Sequence, residues 1–307
     1  MKKIIFVILL LISIFSLSSC SEEKQEINII CPSGTPLLSI VNYMDAHQEA
    51  NIEVAQGSDP LVAAFSGDHY DVIVAPVNLG AKFYNNNQKY VLAKTIVWGN
   101  LYLASKNEIN SFEDLNGKKL VIFGKNSTPD IIVQALLKSK PELNVELEYV
   151  SDVAEANALL VSGKAEYIVS AEPSISKIKD AKGLHTLDLQ QEYAKISNTS
   201  SYPQAGIFVK KEHKDDKLIK NVLNSLYDSV EKANKDPKGT AEKAVLLNET
   251  FKTLGEVALE KAIPNCHFNV LSKEDEMKAV KKYLDLMIEL GFSKQVGDKV
   301  PDEEFFL

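Results

Sequence analysis

The feature that most constrains the fold is the alternation of short β-rich apolar runs with segments of helical periodicity. Seven runs are typical of strands: 27–31, 52–55, 71–75, 90–97, 119–123, 145–150 and 166–170. Helical patterns cover 36–47, 129–139, 153–162 and 272–290. Strands that alternate with helices through short connections predict an α/β architecture built on mostly parallel sheet.

Two segments repeat one local plan, and this repeat indicates two related lobes. Residues 29–38 combine a strand, a small polar loop, Thr35-Pro36 and a helix, and residues 121–132 repeat this order with one extra loop residue. In both, threonine can cap the helix and proline fits its first turn. Each unit would present free N–H groups at the carboxyl edge of a strand, where α/β folds bind small polar or anionic ligands. A well-capped helix is the simpler interpretation of either loop alone, but the pair predicts two lobes that share a cleft.

The first 19 residues are predicted to form a lipoprotein signal peptide. Two lysines precede an apolar run over 4–17, and the Leu-Ser-Ser-Cys sequence that ends at Cys20 resembles a bacterial lipobox. Cys20 would then carry the lipid, including palmitate, and residues 20–26 would form a tether. A plain signal peptide with an incidental cysteine is the alternative. No later apolar run approaches the length of a membrane span, so we expect a protein that is anchored to a membrane without crossing it.

The charge of the chain argues against a nucleic-acid ligand. The 307 residues include 42 Asp and Glu against 34 basic residues, which gives a formal net charge of −8, whereas nucleic-acid binding requires a surplus of cations. All 34 basic residues are lysines. No guanidinium group is therefore available to bind a carboxylate or phosphate through two parallel hydrogen bonds.

No catalytic or metal-binding set is evident in the sequence, so we predict neither an enzyme nor a cofactor. The phosphate-binding loop, the Gly-x-Ser-x-Gly elbow and the His-Glu-x-x-His motif are all missing, and the five histidines are isolated along the chain. Cys266 and His267 are adjacent, but neighbouring side chains of a strand point in opposite directions. Cys31 and Cys266 are expected to be buried free thiols, with a disulfide as the alternative.

For each of three residues, the sequence is compatible with two structural interpretations. Glu172 follows a predicted strand, where a cleft carboxylate and a solvated strand-end charge fit the sequence equally well. Trp98 precedes Gly99, a setting that suits either the core or a cleft wall at a crossover. Lys125 is the one cation in the two Thr-Pro loops; a solvated lysine is the commoner case, and contact with an anionic cargo is the alternative.

Eight short motifs follow one another along the chain. They occupy residues 32–36, 75–79, 98–102, 123–130, 171–173, 202–206, 262–266 and 301–306. In this order they resemble the substrate-binding lipoproteins of ABC importers, in the nitrate/sulfonate/taurine-type group, and the resemblance covers nearly the whole mature chain. It implies a type II periplasmic-binding-protein fold, in which two α/β lobes are joined by a two-segment hinge with a ligand cleft between them. Lobe 1 would comprise 27–103 plus 205–307, and lobe 2 would comprise 104–204.

The resemblance also implies a function, an extracytoplasmic solute-binding lipoprotein that closes on a small organic nutrient and delivers it to an ABC permease and its ATPase. A monomer without a cofactor is expected, anchored by lipid at the periplasmic or outer cell surface. Its expected ligand-binding residues are Ser33, Gly34, Thr35, Asn78, Trp98, Asn100, Asn126, Ser127, Thr128, Glu172, Tyr202 and Gln204.

The identity of the cargo stays open at this point. Related proteins take up sulfonates, thiamine precursors and other small nutrients, and where they place arginine on an anion this chain has none, which argues against a sulfonate or nitrate. Two alternatives to an importer remain. One is an extracytoplasmic enzyme on the same fold, with Glu172 as a general base, and the other is a surface lipoprotein without cargo.

Overall fold

Two five-stranded sheets form the framework of residues 27–307, which are the residues that the computed structural model describes. The predicted signal peptide 1–19 and the segment 20–26 with Cys20 lie outside the described residues. Within 27–307, no helix combines the length and the apolar character needed to cross a membrane.

The first sheet has the strand order β2-β1-β3-β10-β4 and defines lobe 1. Its strands are β1 (Asn28–Pro32), β2 (Asn51–Ala55), β3 (Val72–Pro76), β4 (Tyr90–Val97) and β10 (Ala205–Lys210). The second sheet has the order β7-β6-β8-β5-β9 and defines lobe 2. Its strands are β5 (Leu101–Ser105), β6 (Lys119–Phe123), β7 (Glu146–Val150), β8 (Tyr167–Ala171) and β9 (His185–Asp188).

The two sheets share one topology, and each contains a single strand of reversed direction. In lobe 1, β10 runs antiparallel to both β3 and β4; in lobe 2, β5 runs antiparallel to both β8 and β9. Each reversed strand is the one that enters directly from the other lobe. The predicted boundary between residues 103 and 104 falls inside β5, whose pairing places Leu101–Ser105 wholly in the second sheet.

Thirteen α-helices lie among the described residues and cover the two sheets. They are α1 (Thr35–Ser39), α2 (Val41–Ala46), α3 (Asp59–Ser66), α4 (Val77–Asn87), α5 (Thr128–Ser139), α6 (Val153–Ser162), α7 (Ser174–Lys182), α8 (Leu189–Ser197), α9 (Lys217–Lys235), α10 (Pro237–Leu247), α11 (Glu249–Leu254), α12 (Glu256–Ala262) and α13 (Lys273–Glu289). Helices α9 and α10 pack on α2 of lobe 1. The side chain of Glu276 in α13 accepts a hydrogen bond from the Thr95 N–H of β4. These contacts attach the chain after β10 to lobe 1.

The helix expected over 36–47 is interrupted, and this prediction was wrong at Ile40. The Ser39 hydroxyl donates to the Pro36 carbonyl at 2.7 Å, and the Ile40 N–H closes a short turn on the Leu37 carbonyl at 3.2 Å. A hydroxyl that bonds the preceding turn competes with the regular helical pattern. The chain therefore forms two short helices here.

Both cysteines of the described residues are buried free thiols, as expected. Burial raises the pKa of both the Cys31 and the Cys266 thiol well above the ordinary value. A thiol in such surroundings stays protonated and unreactive.

Candidate functional site

The two Thr-Pro units occupy equivalent places in the two sheets and meet at the boundary between the lobes. Thr35 follows β1, and Thr128 starts α5 a few residues after β6. The Thr35 hydroxyl donates to the carbonyl of Glu172 in lobe 2 at 2.6 Å. The hydroxyl of Tyr283, which lies in α13 of lobe 1, donates to Thr128 Oγ1 at 3.4 Å. Each threonine is therefore buried against the opposite lobe.

Three of the predicted site residues form one hydrogen-bonded cluster. Asn100 Nδ2 donates to Thr35 Oγ1 at 2.7 Å and to the Glu172 carbonyl at 3.2 Å. The Glu172 N–H in turn donates to the Asn100 carbonyl at 2.9 Å. The cluster thus joins lobe 1, lobe 2 and the first crossover, which is the connection 98–100 between β4 and β5. Each of its members is at most 5% exposed.

The side chain of Glu172 is a buried carboxyl group and not a solvated strand-end charge. It accepts hydrogen bonds from Ser176 Oγ at 2.8 Å and from the Ser176 N–H at 3.3 Å, and a further one from the Asn265 side chain. Burial outweighs these bonds and raises the pKa of Glu172 to about 7. This carboxyl group therefore titrates near neutral pH.

We expect Glu172→Gln to flatten the pH dependence of stability. Between about pH 4.5 and pH 7 the unfolded chain releases this proton while the folded chain keeps it, so rising pH lowers the free energy of unfolding across that window. The loss is roughly 3 kcal/mol at most. Glutamine has a similar shape and cannot ionise, so the variant should be the more stable protein at pH 8. Urea unfolding at pH 5 and pH 8 measures this, with the exposed Glu108→Gln as control; an unchanged pH slope in Glu172→Gln would contradict it.

Trp98 fixes the first crossover to lobe 1. Its backbone N–H donates to the His267 carbonyl at 3.0 Å, and its indole Nε1–H donates to the Asn269 carbonyl at 3.2 Å. The side chain is 3% exposed. The indole N–H is thus used within the protein.

Gln190 fixes both crossovers to lobe 2. No sequence pattern predicts a role for this residue. It lies in the first turn of α8 and is 1% exposed. Its Oε1 accepts the N–H of Leu101, the first residue of β5 after the first crossover, at 2.9 Å. The same oxygen accepts the Tyr202 hydroxyl at 2.5 Å; Tyr202 lies in the second crossover, the connection 198–204 between α8 and β10. Gln190 Nε2 donates to Asp188 at 3.0 Å, which orients the amide.

Comparison with known proteins agrees with this two-lobed arrangement. Residues 91–240 match the NMT1/THI5-like family, and no curated protein matches the chain. An ABC transporter from Parabacteroides distasonis is 25% identical, with a TM-score of 0.76 over 92% of this chain and 99% of that chain. The aliphatic sulphonate-binding protein SsuA from Escherichia coli is 13% identical, with a TM-score of 0.69 over 91% and 93%. The alkanesulfonate-binding protein SsuA from Xanthomonas axonopodis pv. citri is also 13% identical, with a TM-score of 0.64 over 93% and 99%.

The chain has the type II periplasmic-binding-protein fold. This confirms the predicted fold class and the resemblance to substrate-binding proteins of ABC importers. In this binding-protein fold the two crossovers are the connections about which the lobes can rotate.

Rotation in this binding-protein fold is expected at two short segments. Trp98 is held by lobe 1 and Leu101 by lobe 2, which leaves Gly99 and Asn100 between them. In the second crossover, Tyr202 is held by lobe 2, while the Gln204 N–H donates to the Val97 carbonyl of lobe 1 at 2.9 Å. Pro203 lies between these two anchors.

A second polar contact between the lobes involves residues that sequence reasoning left unassigned. The Tyr102 hydroxyl donates to the Asn265 carbonyl at 2.8 Å and lies 3.2 Å from His267 Nε2. His267 Nε2 is also 3.3 Å from an oxygen of Asp188. Burial would raise the pKa of Asp188, but hydrogen bonds from His267 and the adjacent backbone outweigh it, and the pKa is lowered. Tyr102 and His267 are 165 residues apart in the chain, so no local sequence pattern predicts their contact.

The remaining predicted site residues form hydrogen bonds with groups outside this cluster. Tyr202 is fully buried, whereas Ser33, Gly34, Asn78 and Gln204 are partly buried. Asn126 and Ser127 are exposed, and the Ser127 hydroxyl donates to the Gly124 carbonyl of its own loop at 2.6 Å. Lys125 is also exposed, with its Nζ 5.0 Å from the centre of the Tyr149 ring. Their part in ligand binding stays a prediction.

Proposed function

We propose that the protein is the substrate-binding component of an ABC importer. It captures a small organic molecule between its lobes and delivers it to a membrane permease and its ATPase. The family match and the structural relatives support an ABC-type binding protein. The fold of periplasmic binding proteins supports an extracytoplasmic location, and the lipobox-like sequence at Cys20 supports a lipid anchor.

The observation that carries this proposal is the direct bonding of Thr35, Asn100 and Glu172 across the boundary. Residues from both lobes and from the first crossover meet at one buried point, close to the connections about which the lobes rotate. A ligand that contacts both lobes at such a point stabilises the closed form over the open form.

The contacts between the lobes at the exposed rim of the boundary are individually weak. Lys177 Nζ donates to the Thr253 carbonyl at 2.8 Å, and Lys138 Nζ donates to the Glu289 carbonyl at 3.3 Å. Lys261 forms an ion pair with Asp180. Exposed pairs of this type contribute about 0–1 kcal/mol each because water screens them. The rim therefore contributes little to the closing equilibrium.

The test is thermal unfolding of the full-length protein, purified in mild detergent, in the presence of fractionated metabolites. A binding protein gains about 2.7 kcal/mol of stability when its ligand is present at 100 times the dissociation constant. One fraction should therefore raise the melting temperature, and mass spectrometry should recover its active compound unchanged. A compound that is recovered in altered form would indicate an enzyme, and a melting temperature that no fraction moves would indicate a lipoprotein without cargo.

We also expect metabolic labelling with palmitate to depend on Cys20. Cys20→Ser removes the thiol to which the lipid would be attached, so the label should be lost and the protein should leave the membrane fraction. Cys31→Ser is the matched control, because Cys31 is buried and free in the fold. Retained label in Cys20→Ser would contradict the anchor.

A further inference from the structure

The cluster between the lobes contains one buried hydrogen-bond acceptor without a partner among the described residues. This atom is Asn100 Oδ1, on a side chain that is 5% exposed. Its identity as the oxygen is fixed by its neighbours. The Nδ2 group donates to the Glu172 carbonyl, which only accepts, and to Thr35 Oγ1, whose own proton goes to the same carbonyl. A buried acceptor that stays unpaired costs about 1–3 kcal/mol, so this position favours an incoming donor.

The lobe 2 side of the boundary also carries carboxyl groups, of which those of Glu172 and Asp130 are buried and that of Asp188 is partly buried. Glu172 and Asp188 lie at the contacts with lobe 1. Asp130 lies in the first turn of α5, directly behind Thr128, and is 1% exposed. One Asp130 oxygen accepts the Asn126 N–H at 2.8 Å, and the other accepts Gln134 and the Tyr149 hydroxyl at 2.8 Å each. The chain's own carboxylate therefore already lies at the positive end of α5, where an anionic ligand would gain most.

Three lysines at the boundary already bond the opposite lobe, and Lys125, in the loop before α5, is exposed with its Nζ 5.0 Å from the centre of the Tyr149 ring. Lys138, Lys177 and Lys261 bond carbonyl or carboxylate groups of the opposite lobe at the exposed rim. His267 lies against Asp188 and Tyr102. Burial of a negative charge beside the carboxyl groups of Asp130 and Asp188 would be unfavourable without a buried cation to balance it.

Building on the proposed function, we propose that the cargo is an uncharged or protonated nitrogen compound that donates an N–H hydrogen bond to Asn100 Oδ1. The free acceptor recognises the N–H group. The surrounding carboxyl groups tolerate a neutral molecule, attract a cation and discriminate against anions, sulfonates without an amino group included.

The first experiment identifies what the protein binds. The full-length protein in mild detergent is incubated with a metabolite extract of its host cells and washed, and the bound compounds are released by denaturation and identified by mass spectrometry. We expect a compound that has an N–H group and no net negative charge at pH 7. A compound with net negative charge, or one without an N–H group, would overturn the proposed cargo class and leave the importer function standing. No bound compound would count against the importer function itself.

The second experiment measures the affinity of variants for the recovered compound by titration calorimetry. Asn100→Ala removes the acceptor and should weaken binding roughly 10-fold or more, whereas the exposed Asn110→Ala should leave it unchanged. Glu172→Gln tests the sign of the charge even if Asn100→Ala does not fold. It should weaken the binding of the recovered compound when that compound is protonated, because the variant lacks the carboxyl group that attracts a cation, and tighter binding would overturn the proposal.

Discussion

Replacement of Gln190 by methionine is expected to lower the free energy of unfolding by roughly 3 kcal/mol. Methionine has a similar length but offers no strong acceptor, so the Leu101 N–H and the Tyr202 hydroxyl would both lose their partner in a buried place. Each buried donor without an acceptor costs about 1–3 kcal/mol. Chemical unfolding, followed by tyrosine fluorescence and circular dichroism, measures the difference.

The adjacent Gln191 provides a matched control for this substitution. It has the same side chain in the same turn of α8 but is exposed, so Gln191→Met should change stability by less than about 0.5 kcal/mol. Equal effects of the two substitutions would show that Gln190 does not hold the crossovers.

The Gln190 substitution should also affect ligand binding, because both crossovers would lose their attachment to lobe 2. Small-angle scattering of the ligand-free protein should then report a larger radius of gyration for Gln190→Met than for Gln191→Met. A more open ligand-free population would lower the apparent affinity in proportion to the fraction of closed form that is lost. An unchanged radius in Gln190→Met would limit the role of Gln190 to stability.

The sequence predicted the parts of the site that are encoded over a few residues. Proline in the first turn marks the starts of α1 and α5, and the repeat of this pattern indicated two equivalent lobes. The expectation that the threonines cap these helices was wrong: Gly34 and Ser127 occupy the cap positions, and neither threonine side chain makes a capping bond. Both threonine hydroxyls bond the opposite lobe instead. The strand runs located β6 and β8 to within one residue of the observed ends. Together these local signals placed Thr35 and Thr128 at the boundary between the lobes.

The contacts that hold the lobes and crossovers together could not be predicted in the same way. Gln190 bonds Leu101 across 89 residues, and Tyr283 bonds Thr128 across 155 residues. In the sequence, a buried glutamine or a tyrosine on an apolar helix face cannot be distinguished from any other residue of an amphipathic helix. These groups meet their partners only in the folded topology. Strand β5 was missed for a related reason, because it follows β4 after only three residues and pairs with strands of the other lobe.

Gly99→Ala is expected to lower the free energy of unfolding by roughly 2–5 kcal/mol, through two separate effects. Gly99 has a φ of +87°, in the left-handed region that costs a residue with a side chain about 1–2 kcal/mol. An added Cβ would also lie 2.3 Å from Gln190 Cγ, and overpacking of this kind costs about 1–3 kcal/mol. Urea unfolding of the parent protein and of Gly99→Ala measures the sum of the backbone cost and the overpacking cost.

Gly117→Ala separates the two effects, because Gly117 has a φ of +72° and nothing lies within 4 Å of the added Cβ. It should show the backbone cost alone, and the excess in Gly99→Ala is then the collision with Gln190. Truncation of Gln190 to alanine removes the atoms that collide, so Gly99→Ala should cost less in that background, with a coupling of about 1–3 kcal/mol. Such coupling would mean that Gly99 is required where Gln190 reaches across the first crossover. Additive effects of the two substitutions would instead place the whole cost in the backbone of Gly99, and the close approach of Gln190 would then have no energetic role.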